Sequence, residues 1–149
     1  MSSEFESDLS GARSLIETGR QQLLKVVDDL GPTDLDRGLR GGWDVRGVLK
    51  HIIDSEHHYA SMVGRLRGAS PAATPPTADL SSPATVRQAL EQSRLALLAA
   101  LEGVDEETFY RMAGGSSDYS VLSALENVHH HDEEHRSQIE RIIRGAAAD

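Results

Sequence analysis

Seven histidines stand at positions 51, 57, 58, 129, 130, 131 and 135, and the last four crowd into one short stretch. Imidazole is the side chain that most commonly binds a divalent metal at neutral pH. A helix turns by about 100° per residue, so Ala124, Val128, His135, Ile139 and Ile142 all fall within roughly 80° of His131. The apolar stripe of that helix therefore carries two histidines at i and i+4. Burying two rings without partners is costly, whereas this spacing lets both reach one cation. His129 and His130 are expected to face solvent beside Glu126, Glu133 and Glu134.

A third ligand has to come from another helix. His51 lies about 60° from Val48 and about 40° from Ser55, at the border of an earlier apolar stripe. If its helix runs antiparallel to the last one, His51 reaches the height of the His131/His135 pair. His58 shares that face two turns later and stays open as the alternative, while His57 points away. Asp54-x-x-His57 and Asp132-x-x-His135 echo the spacing of di-iron bundles, but those sites need an inward acid from each remaining helix. Glu17 and Glu91 lie off their stripes, which argues against a dinuclear site.

Three neutral imidazoles leave a divalent ion an open position, the pattern of a catalytic centre. Such an ion lowers the pKa of a water or thiol placed there. The donor set does not single out a metal; zinc or nickel comes first, with iron, manganese and copper open. Asp132, Glu134, Gln138 and Asp54 stand within a turn of a candidate ligand and could orient the rings. No cysteine nucleophile, phosphate loop or nucleophile elbow competes with this reading.

Four helices have to position these groups. The series Leu9, Ala12, Ile16, Gly19, Leu23, Val26, Leu30 steps by threes and fours, and Gly31-Pro32 ends it. A second helix starts at Trp43-Asp44, with Asp44 as N-cap, and carries Val45, Val48, Ile52, Tyr59, Val63 and Leu66. Gly68 to Ser82 is loop-like; Ser82-Pro83 then opens a third helix carrying Val86, Leu90, Ser93, Leu97, Ala100 and Val104. Asp105 to Asp118 is a long connection with a helical turn around Glu107 to Met112, and Gly114 to Ser117 read as a flexible loop. The fourth long helix runs from Tyr119 or Ser120 to Arg144, with Gly145 as its stop. Trp43 is expected to pack at the bundle end, with lining of the pocket as the alternative. The fold class is all-α: one domain over residues 1–149, a four-helix bundle with long crossover loops.

The bulk numbers bound the rest. Apolar residues make up 38 % with few aromatics, which suits helices better than sheets. A net charge of −9 argues against a nucleic-acid surface. No apolar run is long enough for a bilayer span, and the acidic first ten residues do not resemble a signal peptide. Zero cysteines exclude disulfides and thiolate ligands and fit a cytoplasmic protein.

Two motifs carry a family resemblance. Trp43-Asp-Val-Arg-Gly-Val-Leu-Lys-His51 resembles the second-helix signature of the DinB/YfiT-like metalloenzyme superfamily, and His131-Asp-Glu-Glu-His135-Arg-Ser-Gln138-Ile139 resembles its last-helix signature. The resemblance implies one metal held by His51, His131 and His135, neighbouring second and fourth helices in an atypical order, and frequently a homodimer. It also implies a small-molecule substrate or a low-molecular-weight thiol, since relatives include mycothiol- and bacillithiol-dependent transferases and a maleylpyruvate isomerase. Asp44 and Ser137 depart from the serine and glycine common in the family, which leaves the subfamily open.

Overall fold

Asp44 and Ser82 stand where loop must become helix, and each uses its side chain to make the change. The Asp44 carboxylate accepts the Gly47 amide at 2.7 Å, and Ser82 and Thr85 form a reciprocal capping box ahead of the first full turn. Both satisfy amides that a helix start leaves without intrahelical partners. The computed structural model describes residues 3–69, 75, 77–114 and 118–148, with side chains to residue 145. In it these caps open α2 (Val45–Leu66) and α3 (Pro83–Leu101). Helix α1 spans Ser3–Asp28, the short α4 Glu106–Tyr110, and α5 Val121–Ala148.

The four long helices form a four-helix bundle, and no strand forms among the described residues. No described helix is long and apolar enough to cross a membrane. The predicted helix starts hold, and the expected turn at 107–112 is α4. The predicted stop at Gly145 does not hold: it keeps a helical backbone and α5 continues to Ala148, and a Cβ there would stand 3.4 Å from Leu39, so the small residue serves the close approach of that loop. Gly115, Ser116 and Ser117 of the expected flexible loop lie outside the described residues, as do Ser70 to Thr74 and Pro76 of the earlier one.

Around the bundle the order of contact is α1, α5, α2, α3 and back to α1, so the consecutive helices α1 and α2 stand diagonally opposite. The core resolves into two apolar layers, and their membership gives each helix a direction. One layer gathers Ile16, Val63, Leu97, Leu101, Phe109 and Leu125. The other gathers Leu23, Leu49, Ile52, Leu90, Ile139 and Ile142. Helices α1 and α5 run from the first layer to the second, and α2 and α3 run from the second to the first. Helices α2 and α5 are therefore antiparallel neighbours, as the His51 argument requires. Helices α2 and α3 are parallel neighbours, and ahead of α3 Ala78 and Leu80 pack on the second layer.

Between the layers each of the four long helices contributes a charged residue. Arg20, Glu56, Arg94 and Asp132, from α1, α2, α3 and α5, are all buried, with Asp132 1 % and Glu56 2 % exposed. Arg20 Nη2 meets Glu56 Oε1 at 3.0 Å and its Nε meets Asp132 Oδ2 at 3.1 Å. Arg94 Nε meets Glu56 Oε2 at 2.7 Å and its Nη2 meets Asp132 Oδ2 at 3.2 Å. The remaining donors also find acceptors: Arg20 Nη1 donates to the Leu90 carbonyl and Arg94 Nη1 to that of Ile16, each at 3.0 Å. Ser93 Oγ donates to Glu56 at 2.6 Å. Two cations and two anions cancel, the condition under which buried charge is tolerated. Burial alone would lower the Arg20 pKa, but Glu56 and Asp132 raise it above its ordinary value.

Candidate metal centre

His51 lies on α2, and His131 and His135 on the facing side of α5; His51 and His135 stand on the second-layer side of the charged residues, and His131 stands level with them, next to Asp132 in the chain. His135 is 9 % exposed; the other two are half-buried. The His51 ring centre stands 5.1 Å from that of His131 and 4.8 Å from that of His135, and the α5 pair are 5.1 Å apart. One nitrogen from each ring lies within 4.8 Å of the other two, and the set could hold a metal ion. With metal–nitrogen bonds of about 2.1 Å, the widest pair has to close by about 1–1.5 Å, a ring rotation.

Hydrogen bonding fits the same purpose. His135 Nδ1–H donates to Gln138 Oε1 at 2.8 Å. An amide oxygen only accepts, so the ring proton sits on Nδ1 and the Nε2 lone pair is free for a cation. His131 Nδ1 is buried with no hydrogen-bond partner, a costly state for a ring nitrogen that a bound cation relieves. The His51 pKa is lowered from its ordinary value by burial first and by the charge His135 would carry second. Burial, then His135 and His51, lower that of His131. Both rings are therefore held in the neutral form, which is the ligating one.

Other sequence candidates divide. His58 is exposed and stacks toward Tyr59, apart from the three-ring cluster. Of the orienting candidates only Gln138 touches a ring of the three. Asp132 turns to Arg20 and Arg94, Asp54 pairs with Lys50 at 2.6 Å, and Glu134 is exposed. His130 is exposed as expected, but the solvated placement of His129 is corrected. Its Nδ1 lies 3.1 Å from the Leu15 carbonyl, and its ring fills the space over Gly19, where a Cβ would come within 3.2 Å of it. A side chain off the stripe is half-buried here because α1 comes close along its glycine, while its Nε2 stays beside Glu133 as expected, at 3.5 Å. Glu56, Arg20 and Arg94 were not singled out by the sequence at all.

Trp43 takes the alternative place, lining the pocket: it is 51 % exposed, with its ring 5.1 Å from that of His51. The loop before α2 holds it there. Val45 N donates to the Arg37 carbonyl at 2.9 Å, and Gly38 approaches so closely that a Cβ would lie 3.1 Å from both the Trp43 carbonyl and the Asp44 Cα. Gly41, at φ +80°, makes the turn that precedes it. The result is an open cavity of about 430 Å³ lined by Gly41, Gly42, Trp43, Glu134, His135, Gln138 and Arg141. On the far side of His131 a void of about 10 Å³, walled by Tyr59 and the charged layer, has room for one water at most. Of the three rings, that of His135 lines the open cavity on the Trp43 side.

Comparison with the curated proteins finds no match. Among solved structures the chain is similar to TT2238, described as a four-helix bundle protein, at 20 % identity and a TM-score of 0.70, covering 88 % of this chain and 96 % of that one. That likeness concerns the fold. The family model described as the DinB superfamily matches residues 15–139, a span that includes all three clustered histidines and the four charged residues beside them. With most of its length under that match and the bundle beneath it, the chain belongs to the DinB superfamily.

Proposed function

We propose that the protein is a metal-dependent enzyme in which His51, His131 and His135 ligate one divalent ion, zinc or nickel, and that it performs thiol transfer or hydrolysis on a small molecule. The observation that carries this reading is the convergence of three imidazoles from two helices beside an open cavity of about 430 Å³. A three-histidine set leaves a position for an exogenous group, whereas a purely structural site is closed by protein. The ion would supply Lewis acidity, making water or a thiol a nucleophile near neutral pH.

The chain's own groups do the rest. Gln138 fixes the His135 tautomer and ring angle. Trp43 shields one face of His51 and gives an apolar wall to whatever enters. Glu134, on the same cavity wall, takes up the proton that the nucleophile gives up. The family resemblance supplies the thiol as co-substrate and a homodimer as the assembly; the absence of cysteine fits a cytoplasmic setting.

Elemental analysis of untagged protein tests the centre. The wild type should carry about one ion per chain, and His135→Ala close to none, because two imidazoles rarely retain a metal. Equal metal in both proteins would sink the site. The loaded wild type is then mixed with a low-molecular-weight thiol and an electrophile, or with an ester or amide. Consumption that tracks metal content supports catalysis; full loading with no consumption of any of them identifies a metal-binding protein without turnover.

A further inference from the structure

Arg141 lines the cavity beside the three histidines, and among the described residues no carboxylate or carbonyl holds its guanidinium. Arg13, Arg40, Arg65 and Arg144 are likewise without such a partner among the described residues, but of these five only Arg141 lines this cavity. Arg37, Arg46, Arg87 and Arg136 each pair with a carboxylate, as a composition of 24 acids against 15 bases makes easy. Arg141 is denied such a partner by its own helix. Ser137 and Gly145 stand four residues to either side, and Gln138 and Arg144 three, so no acid occupies a position from which it could reach across a turn.

Helical phase aims the group at the centre. Relative to His135, Gln138 lies about 60° round α5, and Glu134 and Arg141 about 100–120° round on the same flank. Arg141 is roughly 9 Å further along the axis, and helical side chains lean back toward the N-terminus, which brings the guanidinium toward His135. Glu134 is seven residues earlier, roughly 10 Å away along the axis, so the two flank the cavity rather than neutralise each other. An apolar wall, one cation and one anion converge on a space of about 430 Å³, within the range of small-ligand sites.

We propose that Arg141 is a specificity-determining residue that binds an anionic group, a carboxylate or a phosphate, on a substrate whose reactive atom sits at the His51–His131–His135 centre. The planar guanidinium matches either oxyanion through two parallel N–H donors. The Trp43 ring covers the uncharged part between the two ends. The proposal rests on the metal-centre reading above and adds the charge of the substrate to it.

The chain's single tryptophan is Trp43 itself, so its fluorescence reports ligands in this cavity. Zinc-loaded protein is titrated with 3-mercaptopropionate, its neutral amide, their six-carbon homologues, and the corresponding mercaptoalkyl phosphates. The amide reads the open centre alone. The wild type should bind at least one of the two anionic series about tenfold or more tighter than the amide. Arg141→Met should abolish that preference while leaving the amide affinity in place, and Arg141→Lys should restore part of it. The anionic series with the larger loss identifies the group. A preference that persists in Arg141→Met, coming from the zinc charge alone, or no preference in the wild type, overturns the assignment and leaves the centre standing. No response to any thiol, amide included, overturns the open centre and the assignment together.

Discussion

Replacing Asp132 by alanine is expected to cost about 3–5 kcal/mol of folding stability in the metal-free protein, the penalty for removing one partner from a buried ion pair. Little of this comes from lost packing, since the change deletes only a carboxyl group. It comes from Arg20 and Arg94, which share Asp132 Oδ2 at 3.1 and 3.2 Å and would be left with Glu56 alone against two buried positive charges. Urea unfolding followed by far-ultraviolet circular dichroism measures it. A loss below about 1 kcal/mol would mean that water reaches the layer and screens it as at a surface. Replacing all four charged residues together by apolar ones of similar volume should cost far less than the single change, because no charge is then stranded. Acid reaches the same layer through Glu56. Burial pushes its pKa up, but Arg20 and Arg94 outweigh that and hold it below the ordinary 4.5. Its contribution is therefore complete above pH 4.5 and disappears as pH falls through the lower folded-state value.

Acid should also empty the metal centre, and more steeply. Three imidazoles must each be neutral to ligate, so once all can protonate the apparent affinity falls by up to about 1000-fold per pH unit. The window follows from the direction of the shifts. Burial first, and the charges of neighbouring histidines second, lower the pKa of His51 and His131 from 6.5. Half-release at moderate metal concentration should accordingly lie below pH 6.5, with nearly full occupancy at neutral pH. The same two groups act on folding of the metal-free chain. Their folded-state pKa lies under the unfolded one, so stability is complete above 6.5 and declines as pH falls through the folded values. Metal released into a colorimetric chelator along a pH series checks the first statement. Occupancy unchanged well below pH ~5 would contradict neutral imidazole ligation.

The His131/His135 pair was legible because helical period alone puts both on an apolar stripe, where a titratable ring needs a reason. The choice between His51 and His58 was not, since both border the α2 stripe and only the height at which α5 crosses separates them. His51 meets the α5 pair, while His58, two turns on, reaches solvent beside Tyr59. The charged layer stayed hidden for a different reason. Arg20, Arg94 and Asp132 each sit one residue past a stripe position (Gly19, Ser93, His131), where pattern reading assigns charge to water. Their burial depends on mutual neutralisation across four helices, which no single helix displays. The stripe members just before two of them are small, Gly19 and Ser93, and that is the local sign that something bulky lies alongside. Trp43 was undecided for the opposite reason: a large aromatic ring is ordinarily core, and only the close approach of Gly38 to Asp44, which no helical period displays, sets it outward over His51 at the pocket.

The diagonal placement of α1 and α2 constrains the sequence of events by which the protein acquires its shape. These first two helices meet only through α3 and α5, and α5, the more extensive neighbour of α1, supplies both Asp132 and the two clustered histidines of its stripe. The Arg20–Asp132 contact closes a loop of 112 residues, a far larger entropic step than the short turns of an up-and-down bundle demand. Helices α2 and α3 can pair early during synthesis, but α1 stays without its main partner for most of translation. Until then its apolar side, Phe5 through Val27, has only α3 to pack against, and apolar surface left open in a half-made chain is the surface that chaperones bind.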